Sequence, residues 1–228
     1  MPYPENPETI ILKNRFYPKG LREIDIWNHY RRYKSQILKE VMNRYLMLVI
    51  MVNVNKPIMR RKGKEGLIRL MNRNYDEVIT GRTITIYSLM RMYEDICVID
   101  IDADNFRQAR IATKEVYDFI MDDVPYVRTA QIRFTGKTSF HIVCTLAKKY
   151  NINAIRNLLE RTLKSSDLIN KYTVAPKRTK GVVNLDIWAS NKFDGAFITL
   201  ESLSVIGLRC MEVGYNKILN FDVRRGII

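Results

Sequence analysis

The sequence predicts an α+β protein: a β-α-β-β-α-β sheet of the ferredoxin-like kind, packed with a smaller N-terminal αβ subdomain. Three observations carry this prediction. Beyond residue 95, short apolar alternations and longer runs of helical period succeed one another in that order. Ahead of them, a helical stretch leads directly into the apolar run "LMLVIMV", Leu46 to Val52. Between the two parts stands "CVIDIDAD", Cys97 to Asp104, whose polar alternate positions are all acidic.

The elements follow in chain order. "LREIDIWNHYRRYKSQILKEVMNRY" sets Ile26, Tyr30, Tyr33, Ile37, Leu38 and Val41 at helical spacing. Leu46 to Val54 reads as a strand, "MRRKGKEG" from Met59 as a basic turn or mobile loop, and "TITIYSL" as a second strand. This part, roughly residues 1–92, shows no catalytic constellation. In 93–228, "ICVIDID" is a strand, and "FRQARIATKEVYDFIMDD" a helix with Ile111, Val116, Phe119 and Ile120 on or near one face. "AQIRFT" and "SFHIVCTL" are strands joined by the turn "GKT". "NINAIRNLLERTLKSS" is a helix with Ile152, Ile155, Leu158, Leu159 and Leu163 as its stripe, and "GVVNLDIW" is the last strand. The whole chain is expected to be one catalytic domain with these two halves.

Composition narrows the function. Lys and Arg number 38 against 24 Asp and Glu, a formal charge of +14. That surplus suits a polyanionic partner. It is concentrated in "KPIMRRKGK" (Lys56, Arg60, Arg61, Lys62, Lys64), in "RRYK" (Arg31 to Lys34) and in "KRTK" (Lys177, Arg178, Lys180). The plain alternative for any one of them is a solvated surface. None lies on a helix with an evident apolar anchor face, so nucleic acid is preferred to membrane. The N-terminus lacks the pattern of a secretory signal, and no apolar run is long enough to span a bilayer; a cytoplasmic protein is expected. Cys97, Cys144 and Cys210 are far apart in apolar stretches, and the two histidines are His29 and His141. Buried thiols are expected, and no structural zinc.

The topology then gathers distant residues. In a β-α-β-β-α-β sheet the first and third strands are central neighbours, and the fourth lies on the other side of the first. Period-two alternation turns Asp100 and Asp102 to one face, and Ser139 and His141 to the same face of the third strand, with Phe140 toward the helices. Asp186 joins them from the fourth. Carboxylates so close repel one another unless a cation neutralises them. Hard divalent ions take oxygen ligands. Two of them, roughly 3.5–4 Å apart, stabilise the attacking and leaving oxygens of a phosphoryl displacement. Ser139 and His141 can then bond phosphate oxygens, and Lys137 and Arg133 can add charge at a triphosphate. The plain reading of each residue alone is structural: a DxD on a strand is common, and His141 can be a satisfied histidine under a loop. The joint occurrence in topological order is what favours chemistry.

These residues resemble a family. "VIDID", "GKTSFHI" and "VNLDI" look like the hDhD, SxH and hD motifs (h, apolar) of the archaeo-eukaryotic primases and primase-polymerases. "LKNRFYPKGLREIDIWNHYRRYKSQIL" is similar to the opening of the polymerase domains attached to bacterial end-joining ligases, and "FTGKTSFHI" to small catalytic primase subunits. The resemblance implies a DNA primase or polymerase that adds nucleotides to a 3′-hydroxyl, in replication or repair. Its fold would be an RRM-like catalytic half on a smaller αβ half. Asp100, Asp102 and Asp186 would be catalytic, binding two Mg²⁺ or Mn²⁺ ions, and Ser139 and His141 would contact the triphosphate. Template, primer and nucleoside triphosphates are the implied partners; a larger primase subunit, a helicase or a ligase are further candidates. The sequence departs from the family in "FITLESLSVIGLRC", where Ser204 stands at the usual histidine of an R-x-P-x-SLH-x-x-TG segment. Arg209 is the available compensating cation for the nucleotide.

Two other readings compete: a noncatalytic RRM-like module for single-stranded nucleic acid, and a degenerate primase subunit. RRMs stack bases on aromatics of the two central strands. Here those positions carry acids, Ser139 and His141.

Overall fold

The computed structural model describes residues 3–60, 68–136, 138–174, 179–187 and 196–228. The chain divides into two compact units: Met1–Leu89 with Ile198–Cys210 and Val223–Ile228, and Met90–Phe197 with Met211–Asp222. Two C-terminal stretches thus belong with the N-terminal unit.

In the first unit, β1 (Ile10–Leu12) pairs with β2 (Leu21–Arg22). The single helix expected here is two, α1 (Glu23–Arg32) and α2 (Lys34–Glu40). They break at Tyr33 (φ −100°, ψ 12°), while Tyr33 N still donates to His29 O at 3.1 Å and Ile37 N to Tyr33 O at 3.0 Å. Ile26, Tyr30, Ile37 and Val41 form the buried stripe, as their spacing predicts. There follow β3 (Tyr45–Asn53), β4 (Lys56–Arg60), β5 (Ile68–Arg69), α3 (Tyr75–Val78) and β6 (Thr83–Leu89). β3 is central, with β6 on one side and β4 and β5 on the other. β4 is a correction to the sequence reading. The start of the basic run expected as a loop is a strand as far as Arg60, turned back through Asn55 (φ 55°).

The second unit is built from β7 (Tyr93–Asp102), α4 (Phe106–Asp123), β8 (Val127–Phe134), β9 (Ser139–Asn151), α5 (Ile152–Lys164), β10 (Thr173–Val174) and β11 (Asn184–Ile187). β12 (Ala196–Ile198) then joins the first sheet beside β6, and β13 (Met211–Glu212) pairs with β8. The second sheet runs β10-β11-β7-β9-β8-β13. Its four motif strands therefore stand in the order fourth, first, third, second, as a ferredoxin-like sheet requires.

Sequence explains why the helices lie on one face. Ile99, Ile101, Phe140 and Ile142 are fully buried, and α4 and α5 pack on β7 and β9. Phe140 stacks on Phe106 at 5.5 Å, with Phe134 and Phe221 completing an aromatic cluster. Asn105 caps α4, accepting from Gln108 N at 2.9 Å. The buried side of α4 is set by Ala109, Ala112, Val116 and Ile120; the expected Ile111 is exposed, as is Leu158 of α5. With Ala109 and Ala112 on the buried side, the helical turn carries Ile111 outward. All three cysteines are buried free thiols. Among the described residues, no helix is long and apolar enough to cross a membrane.

Candidate active site

The face of the second sheet away from its helices carries the motif residues, and strand register aligns them. Asp186 on β11 lies opposite Asp100 on β7. Asp100 lies opposite His141 on β9, and His141 opposite Arg133 on β8. Residues directly opposite one another share a sheet face, so these four form one row across four strands. A second row beside it is Asn184, Asp102 and Ser139.

Within the rows, Ser139 Oγ donates to Asp102 Oδ1. His141 Nε2 stands 3.5 Å from Asp100 Oδ1, and among the described residues its buried Nδ1 has no hydrogen-bond partner. Burial first, and the positive charge of Arg133 second, push the His141 imidazole down to about 3. The 3.5 Å contact with Asp100 thus involves a ring held toward its neutral form. Asp186 moves the other way, up to about 6: burial contributes most, Arg156 opposes it, and Asp102 and Glu160 add smaller repulsions. His141 and Arg133 are 5% and 6% exposed, so this end of the row is more enclosed than an open sheet face would be. Arg133 Nε donates to Gln131 Oε1 at 2.6 Å, two residues back on the same strand face.

The hairpin from β8 to β9 turns at Gly136, whose φ of +91° is left-handed and favours glycine. Thr138 Oγ1 donates to Ala103 O at 3.0 Å, tying this hairpin to the end of β7. Lys137, the hairpin's candidate cation, lies outside the described residues.

Among the described residues, no group of three or more His, Cys, Asp or Glu side chains is gathered as a ready-made metal site. The donor set nevertheless has the chemistry of a hard divalent cation's site. Three carboxylates lie on adjacent strands of one face, and one has a raised pKa that a cation would reverse.

The remaining candidates lie elsewhere. Arg209 belongs to the first unit, where its Nη1 donates to the Tyr33 hydroxyl, its guanidinium lies 5.2 Å from the Tyr33 ring centroid, and Glu201 is 3.5 Å away. Ser204, at the family's histidine position, closes a turn by accepting from Leu208 N at 3.2 Å. Lys56 opens β4 and Lys180 follows the β10 region; both are exposed. Arg60 ends β4. Arg61, Lys62, Lys64, Lys177 and Arg178 fall outside the described residues. Two residues of the face were missed from sequence, Asn184 and Gln131. Both sit two positions from a named candidate on the same strand, so strict alternation along "VNLDI" and "AQIRF" would have found them.

No family model matches the sequence, and no curated protein matches it. Among solved structures, the chain is similar to the polymerase domain of Mycobacterium tuberculosis Ligase D in complex with DNA. The TM-score is 0.70, over 100% of this chain and 96% of that one, at 12% identity. At such identity the likeness is one of fold. The α+β architecture expected from the sequence is thus the fold of this solved domain.

Proposed function

We propose that this protein is a template-dependent nucleotidyltransferase of the primase-polymerase type, adding nucleotides to a 3′-hydroxyl with divalent metal. The observation that carries the reading is the row Asp186, Asp100, His141, Arg133. One end is acidic, the other is a guanidinium, and a neutral imidazole lies between. Neighbouring strands are about 4.8 Å apart, so Asp100 and Arg133 are separated by roughly 10 Å. A metal-bound triphosphate is a ligand of that polarity and scale, with its cation at the carboxylates and its phosphates toward the arginine.

Each residue then has a role set by its chemistry. Asp100, Asp102 and Asp186 would hold Mg²⁺ or Mn²⁺. Bound there, two such ions would supply charge stabilisation for the attacking 3′-oxygen and the departing pyrophosphate. Ser139 fixes one oxygen of Asp102 and so sets the direction of the carboxylate. His141 and Arg133 would donate to triphosphate oxygens, and Lys137 is the further cation proposed for them from the sequence. The basic segments at 56–64 and 177–180 serve the template backbone, in keeping with the net charge of +14.

The noncatalytic binding module finds less support. On this face the central positions of β7 and β9 are Val98, Asp100, Asp102, Ser139, His141 and Val143, with no aromatic platform for a base. The test is incubation of the purified protein with primed and unprimed templates, Mg²⁺ or Mn²⁺, and labelled NTPs or dNTPs. Template-directed extension is the expected result. Absence of incorporation under every combination, with tight single-strand binding, would replace this reading by the binding module.

A further inference from the structure

We infer that Gln131 is a positioning residue, which holds the Arg133 guanidinium in the orientation that receives the triphosphate of a nucleotide. The inference rests on the functional reading above and names a residue outside its motifs. An arginine side chain ordinarily samples many rotamers, and fixing one on binding costs affinity. Arg133 is already fixed. Its Nε donates to Gln131 Oε1 at 2.6 Å, a distance at the short end for a charge-assisted bond. Gln131 and Arg133 are at i and i+2 of β8, so the side-chain amide lies on the same face as the row. With Nε held along the strand, the planar fork is constrained in the plane that contains Nη1 and Nη2. Arg133 is the cation opposite His141, whose imidazole its charge helps to keep neutral. Gln131 thus acts on the nucleotide through Arg133 and touches neither carboxylates nor reacting atoms.

Gln131 suits this role better than an acid would. A carboxylate at 131 would accept the same hydrogen bond, but its charge would compete with the phosphates for the guanidinium. A neutral acceptor orients the arginine without adding an anion beside the phosphates.

The experiment is a double-mutant cycle on the binding of ATP and dATP with Mg²⁺, measured calorimetrically for wild type, Gln131→Met, Arg133→Lys and the double variant. Met keeps the length of Gln without an acceptor; Lys keeps the charge of Arg without an Nε to be held. Gln131→Met is expected to weaken triphosphate binding about tenfold, to leave adenosine binding and melting temperature unchanged, and to add nothing in the Arg133→Lys background. Full affinity in Gln131→Met, or additive losses in the double variant, would overturn the inference and leave the functional reading standing. Failure of the wild type to bind either triphosphate would overturn the functional reading, and the inference with it.

Discussion

Asp186 carries a stability cost that the proposed chemistry would explain. Its folded pKa is about 6 against an ordinary 3.8. Between those values the folded state holds a proton that the unfolded state has lost. The stabilisation from that proton is complete below about 4 and disappears as pH rises through 6. Above pH 6 the ionised group is a net cost to the apo fold. Asp186→Asn should therefore raise metal-free stability at pH 7.5 by about 1 kcal/mol after solvent screening, roughly 2–4 °C in melting temperature, with a smaller gain at pH 4.5. The same variant should lose nucleotide incorporation. Thermal melts in a chelator at the two pH values check the sign; a lower melting temperature at pH 7.5 would assign Asp186 a structural role. The positions of these acids were legible in the sequence, because alternation along a strand fixes the face. Their environment was not. Burial of His141 and Arg133 comes from packing around the row, and no local pattern announces it.

At the level of elements, long periodic segments were read closely and breaks in the pattern were not. The helix expected over 106–123 is α4. "TITIYSL" is β6, residue for residue. The interruption at Tyr33 leaves the helical spacing of Ile26, Tyr30 and Ile37 undisturbed, so periodicity cannot reveal it. β4 was hidden because Pro57 and flanking basic residues carry the composition of a loop, and Pro is tolerated at sheet edges. The turn at 204–208 shows an element held by one glycine. Gly207 has φ +84°, and a Cβ there would lie 2.7 Å from Leu12 Cδ2 and 2.8 Å from Tyr17 Cε2. The Tyr17 hydroxyl also donates to Gly207 O at 2.8 Å. Gly207→Ala combines left-handed strain with overpacking and should cost about 2–3 kcal/mol. Chemical denaturation would show a lowered midpoint with an unchanged slope. Wild-type stability would mean that the turn relaxes freely.

For the molecule as a whole, the charge of +14 makes a prediction about its partner. Affinity for single-stranded DNA should fall steeply with salt, at a slope of about −0.7 for each phosphate contact. Changing Arg60, Arg61 and Lys62 together to Gln should flatten that slope by about two units as well as weaken binding. An unchanged slope would make this run a solvated surface and would leave the proposed metal site untouched. The return of residues 198–210 and 223–228 to the N-terminal unit was not legible, since long-range pairing of chain ends leaves no local signature.

The central claim is that the acid strand serves catalysis. It is tested most directly by extension of a primed template with labelled nucleotide and Mn²⁺, comparing wild type with Asp100→Asn at matched melting temperature. Wild type should extend the primer only with metal, and Asp100→Asn should fall to background while still binding template. Undiminished extension by Asp100→Asn would contradict the account.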